Sequence, residues 1–240
     1  MTYDEYYAVH TQNLRPTKYW IDPASFALQA SFFPFQKWGD THTEFERWAC
    51  PLVNQTGTFQ TPDAACAPLD RINFLKKYPQ YEGEVWTDAH KFDWDLFFKE
   101  TKPDDMILED SFQMKTPALS MTSLDPIDEL KPFMLRSCIL LWHYGGHFKK
   151  HIDNWTPSQW IRLWGTTKPS GMVLRYEEKD GQGEVMVEEK NIEAGRLYLH
   201  DSIKPHEALA YQDDVYQFFI AMDSKCLEKI RACFSFHAGW

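Results

Sequence analysis

The chain has little with which to cross-link itself. Its five cysteines in 240 residues (Cys50, Cys66, Cys138, Cys226 and Cys233) form an odd, scattered set without a Cys-x-x-Cys pair. That excludes a disulfide framework and a cysteine-built zinc site. Long apolar runs are also missing: the longest, around Cys138–Trp142, is far too short to cross a bilayer. The N-terminus, MTYDEYYAVH, has neither the basic nor the apolar region of a signal peptide. No membrane association is expected, and the cytoplasm is the expected compartment. Positive charge is scarce, with 25 Lys and Arg against 35 Asp and Glu and a formal net charge of -10. Nucleic-acid binding as the main activity is excluded, because it depends on basic residues neutralising phosphates. Uninterrupted helical periods are absent from the first ~115 residues, where Pro16, Pro23, Pro34, Pro51, Pro62, Pro68, Pro79 and Pro103 break the chain.

Aromatic side chains are plentiful: ten Trp, seventeen Phe and eleven Tyr, a content that fits a β-rich core or an enclosed small-molecule pocket. In the N-terminal part, short helices are expected at Tyr3–Leu14, Pro68–Lys77 and Trp94–Lys99, and a strand ending in a turn at Trp48–Gly57. Ser123-Leu-Asp125-Pro126 reads as a helix start, with Pro126 at the first helical position. Eight short strands follow, at Leu135–His143, Phe148–Asp153, Gln159–Gly165, Gly171–Tyr176, Glu184–Glu188, Gly195–His200, Glu207–Tyr211 and Val215–Asp223. Separated by Gly, Pro, Asn and Asp turns, they predict a double-sheet jelly roll or a barrel. Ser224–Phe234 has helical spacing. One domain is expected, with residues 1–118 as an extension shaping a pocket, 119–223 as the β core, and 224–240 as a helix and tail.

Leu140–Asp153, LLWHYGGHFKKHID, concentrates the chemistry. On an extended segment His151 and Asp153 project to the same side, as two ligands of one ion must. Two histidines and one carboxylate on one face of an iron leave the opposite positions open for co-substrate and dioxygen. A later histidine is needed, and His206 supplies it, with His200 as an alternative. His147 and His151 have the four-residue spacing of a helical zinc site, but Gly145-Gly146 and the absence of His-Glu-x-x-His oppose that reading. Each histidine alone would be an ordinary core or surface residue.

The segment His143-Tyr-Gly-Gly-His-Phe-Lys-Lys-His151, Ile161-Arg162-Leu163, and Gly195-Arg-Leu-Tyr-Leu-His-Asp-Ser202 leading to His206-Glu207 together resemble the aspartyl/asparaginyl β-hydroxylase branch of the Fe(II)/2-oxoglutarate-dependent oxygenases. The resemblance covers residues 119–223. It implies a mainly β double-stranded β-helix with flanking helices, mostly N-terminal, and Fe(II) held by His151, Asp153 and His206. It also implies 2-oxoglutarate and O2 as co-substrates, and hydroxylation of an unactivated carbon of an amino acid or amino-acid residue, free or in a peptide, with release of succinate and CO2. Arg162 matches a family arginine for the carboxylate next to the keto group. The family has a histidine where this chain has Trp164, a serine where it has Leu140, and an arginine for the far carboxylate where it has Tyr216. Tyr216, with Arg175 or Arg196 from a neighbouring strand, is the expected substitute for that anchor. The departures leave two other functions open: a jelly roll that binds metal or ligand without turnover, and a zinc hydrolase.

Overall fold

Val215–Asp223, VYQFFIAMD, is apolar at nearly every position, which is the pattern of a strand covered on both faces. It forms strand β12 at the middle of the larger of two sheets. The structure is a computed structural model describing residues 13–37, 47–60, 77–81, 112–151, 160–181, 183–202 and 204–223, with Lys149, Trp160 and Asp180 described by their backbone alone. The other strands are β1 (Leu14–Trp20), β2 (Gln36–Lys37), β3 (Arg47–Asn54), β4 (Met114–Lys115), β5 (Ser137–Trp142), β6 (His147–His151), β7 (Trp160–Thr166), β8 (Met172–Asp180), β9 (Gly183–Glu188), β10 (Arg196–His200) and β11 (His206–Ala210).

The large sheet runs β1-β10-β7-β12-β5-β3-β2, with β4 beside β3, and the small sheet runs β6-β11-β8-β9. Every strand pairing is antiparallel. From β5 onward the chain passes repeatedly between the two sheets, and this winding makes the protein mainly β and its core a double-stranded β-helix. All eight strands expected between Leu135 and Asp223 are present.

Because side chains alternate along a strand, the large sheet has two apolar layers. Its inner face, carrying Leu140, Trp142, Trp164, Tyr198 and Val215, packs on Met172, Leu174, Tyr176, Ala208 and Ala210 of the small sheet. Its outer face, carrying Leu163, Leu197, Tyr216, Phe218 and Ile220, packs on Phe26 and Ala30 and on Leu124, Ile127 and Leu130. Phe26 and Ala30 belong to α1 (Pro23–Ala30), a helix capped by the Asp22 carboxylate, which accepts from the backbone N–H groups of Ala24 and Ser25. Residues Thr122–Phe133 form a 3-10 segment kinked at Ile127, not the regular helix expected to begin at Pro126 behind a Ser123 or Asp125 cap. Pro126 and Pro132 lie inside it and withhold two N–H donors.

Flanking helices are thus a minor part of the described fold. The helices expected at Tyr3–Leu14, Pro68–Lys77, Trp94–Lys99 and Ser224–Phe234 lie outside the described residues except at Lys77, at Asn13, and at Leu14, which opens β1. The Trp48–Gly57 expectation is met: β3 ends at Asn54, whose side-chain oxygen accepts from the N–H groups of Thr56 and Gly57. Among the described residues no helix is long and apolar enough to cross a membrane.

Candidate functional site

His151 and His206 are register partners on β6 and β11, with ring centres 4.3 Å apart. A bulge brings this about. His206 pairs with His151 and Ala208 with Phe148, so Glu207 alone stands opposite the two residues Lys149 and Lys150. The extra residue lets Phe148 and His151, three apart, face the interior together, and their rings meet with centres 3.6 Å apart and planes tilted by 41°. Without it, alternation would send one of them outward. His147 does face outward, 3.3 Å from Glu207, so it does not join His151 at one ion.

From the opposite sheet, His200 on β10 and Arg162 on β7 are themselves register partners and are almost fully buried. His200 reaches across the sandwich to His206, Nε2 to Nε2 at 3.3 Å, with the rings nearly perpendicular. The proton on His206 is fixed by its other nitrogen. Nδ1 lies 2.8 Å from the Lys204 carbonyl oxygen, which can only accept, so Nδ1 carries the proton and Nε2 presents a lone pair. His200 is held from behind by the Tyr176 hydroxyl at its Nδ1, and the oxygen of that hydroxyl also lies 3.3 Å from the Asn13 carbonyl oxygen. A buried imidazole oriented through its second nitrogen is the arrangement a metal-binding histidine requires.

The rim beside Tyr176 is polar. Asn13 donates to Glu178 at 2.9 Å and to Glu189 at 2.6 Å, and accepts from Lys204 at 2.8 Å. Burial raises the Glu189 carboxyl above the ordinary carboxylate value, and the charge of Glu178 adds to the rise.

Of the residues expected to hold metal or co-substrate, the structure pairs His151 with His206 on the small sheet and places Arg162 and Trp164 on the inner face of the large one. The Arg162 guanidinium lies over the Phe219 ring, 5.2 Å from its centre. Trp164 is buried on the same face, and among the described residues its indole N–H has no hydrogen-bond partner. Asp153 lies outside the described residues. Among those described, no group of three His, Cys, Asp or Glu side chains is set to hold a metal ion.

Two expectations are corrected. Tyr216 sits in the outer layer, in ring contact with Phe26 and Phe35. On β12 it is Val215, Gln217, Phe219 and Ala221 that turn inward, so Tyr216 is on the wrong side of the sheet to touch anything held by His206. Arg175 is on the outside of the small sheet, because Leu174 and Tyr176 take the inward positions, and it pairs with Glu207 at 3.3 Å. Arg196 is likewise engaged, with Glu193 and the Thr17 carbonyl.

Three inward residues have no role in the sequence reading: Tyr176, Gln217 and Arg47. The Gln217 side-chain oxygen accepts from the Trp142 indole at 2.9 Å. Arg47 opens β3 and is buried against Trp142 and Phe148. Only the parity of each strand places them, and parity depends on register.

No protein-family model matches the chain, and no curated protein matches it in sequence. Among solved structures, it is similar to an oxidoreductase of the 2OG-Fe(II) oxygenase family from Burkholderia pseudomallei. There the identity is 9%, the TM-score 0.38, and the match covers 83% of this chain and 77% of that one. It is also similar to YcfD, a ribosomal oxygenase from Escherichia coli solved with cobalt and succinic acid, at 19% identity and TM-score 0.29, covering 40% of this chain and 26% of that one. An oxalate oxidase matches at 10% identity and TM-score 0.29, over 39% of this chain and 43% of its own. The chain thus spans less than half the length of that oxidase.

Proposed function

We propose that the protein is an Fe(II)/2-oxoglutarate-dependent oxygenase that hydroxylates an unactivated carbon of an amino acid or amino-acid residue. The observation that carries this reading is the facing of two polar groups across one sandwich: the register-paired His151, half-buried, and His206, buried, on the small sheet, and the buried Arg162 with His200 on the large one. Neutral imidazoles are suitable donors for iron, and a buried guanidinium suits a carboxylate, which it holds by two parallel hydrogen bonds. The Trp164 N–H, buried and without a partner among the described residues, adds a neutral donor on the same face. The donor set therefore fits a metal ion with an anionic keto acid beside it.

In this reading His151, Asp153 and His206 hold the iron, with His206 kept in the right tautomer by the Lys204 carbonyl. Arg162 binds the carboxylate next to the keto group. Phe148, Phe219 and Trp164 wall the site against water, which strengthens each charge-assisted contact inside it. When bound, iron(II) with 2-oxoglutarate supplies the oxidative decarboxylation of that acid to succinate and CO2, with one atom of O2 entering succinate and the other the hydroxylated product. The substrate, a small molecule or a peptide, is taken to approach past the N-terminal residues, and the cytoplasm remains the proposed compartment.

The expected result is one Fe(II) per chain, 2-oxoglutarate binding that depends on that metal, and succinate formation in a screen of amino acids and peptides. His151→Ala and Asp153→Ala should each abolish metal binding, measured as iron stoichiometry, while circular dichroism shows the fold retained. Unchanged stoichiometry in either variant rejects the ligand assignment. One observation favours a second reading: on β12, Tyr216, at the position of the family's charged anchor, turns outward, and its neighbour turned inward is the neutral Gln217. A jelly roll that binds metal and ligand without turnover would show metal-dependent ligand binding with no oxygen consumption.

A further inference from the structure

Arg47 stands at the start of β3, in register with Trp142 on the inner face of the large sheet, and is 2% exposed. Its guanidinium carbon lies 4.1 Å from the centre of the Phe148 ring and 5.4 Å from that of Trp142. Phe148 packs in turn against His151, their ring centres 3.6 Å apart and their planes tilted by 41°. The guanidinium carbon is therefore no farther from the centre of the His151 ring than the sum of these two distances through Phe148.

We infer that Arg47 binds the far carboxylate of the co-substrate, replacing the anchor that β12 lacks; the inference rests on the oxygenase reading above. The first ground is reach. The two carboxyl carbons of extended 2-oxoglutarate are about 5 Å apart, being joined by four C–C bonds of ~1.5 Å each. A molecule of that length, with its keto-acid end beside His151 and His206, can place its other end past Phe148 at Arg47.

The second ground is the donor. Stacking on aromatic faces engages the flat side of a guanidinium and leaves the N–H groups at its edge in the fork geometry that matches a carboxylate. Its five donors also allow a carboxylate to be added to whatever the side chain already contacts. The third ground is the neighbourhood. Trp142 donates to Gln217, which holds the Gln217 amide on the same inner face. Gln217 can add only a neutral hydrogen bond, weaker than a charge-assisted one.

Metal-loaded protein, prepared without oxygen, is titrated calorimetrically with 2-oxoglutarate and with 2-oxopentanoate, which has the same carbon chain but no far carboxylate. The wild type is expected to prefer 2-oxoglutarate by about tenfold or more, the factor one charge-assisted contact supplies. In Arg47→Met that preference should disappear while the affinity for 2-oxopentanoate stays as in the wild type, and Arg47→Lys should keep part of it. A preference retained in full by either variant overturns the inference. If Arg47→Met does not fold, Arg47→Lys decides alone: a partial loss supports the role and full retention refutes it. A wild type that binds both keto acids equally overturns the anchor but leaves the oxygenase reading standing. A metal-loaded wild type that binds neither overturns both.

Discussion

Single side chains at the rim and in the core have charge states that the fold controls. Burial lifts the Glu189 carboxyl and the charge of Glu178 lifts it further, while the Asn13 hydrogen bond and Lys204 act against the rise. A carboxyl whose folded pKa exceeds its ordinary 4.5 binds its proton more tightly when folded. The stability this contributes is present below 4.5 and is lost as pH rises through the folded value. Glu189→Gln keeps an oxygen acceptor for Asn13 and cannot ionise. Its melting temperature should exceed the wild type's at neutral pH, and the gap should close as pH falls below about 4, where the wild-type carboxyl is protonated in both states. A gap independent of pH would mean that ionisation of Glu189 is not its cause. Cys50 is a simpler case: burial pushes its thiol up to about 12, so it stays a protonated core side chain. The histidines were legible in the sequence because their spacing is unusual. Arg47 was not, because a single arginine before an apolar run carries no mark of which way it will face.

Elements were easier to read than their packing. All eight core strands appear where turn residues and apolar runs placed them, since those signals are local. What the sequence left unread was pairing. Tyr216 was expected at the site because it lies ten residues after His206, yet β12 meets β7 and β5 in a register that turns Gln217 inward. The connection from β9 to β10 shows how tightly one such junction is specified. Gly195 has φ +76°, and a Cβ built on it would lie 1.9 Å from the Ile21 carbonyl oxygen, next to the backbone hydrogen bond from the Ile21 N–H to the Gly195 carbonyl. Left-handed backbone alone costs a non-glycine residue about 1–3 kcal/mol, and the clash with backbone adds to that. Gly195→Ala should therefore lower unfolding free energy by at least that amount, measured by urea denaturation. A loss under ~0.5 kcal/mol, the size of an ordinary surface change, would mean that the β1–β10 edge yields easily.

At the scale of the whole molecule, the large sheet separates two tasks. Its outer layer is apolar cover, and its inner layer holds the polar groups. Leu163 and Trp164 are neighbours on β7 that face opposite ways, so they report on the two layers separately. Leu163→Ala should cost about 2–5 kcal/mol of stability and leave keto-acid affinity unchanged. Trp164→Phe should weaken that affinity, because it removes the indole N–H. Denaturation and calorimetry on the two variants would reject the division if the effects were exchanged. The bulge opposite Glu207 has a consequence of another kind. Sequence change proceeds by whole residues, and on β6 a single inserted residue is what separates a histidine facing solvent from one facing the interior of the sandwich. Aligned column by column with a strand lacking that insertion, His151 would fall at an outward position. The distance in heredity between a surface histidine and an inward one on this strand is one codon.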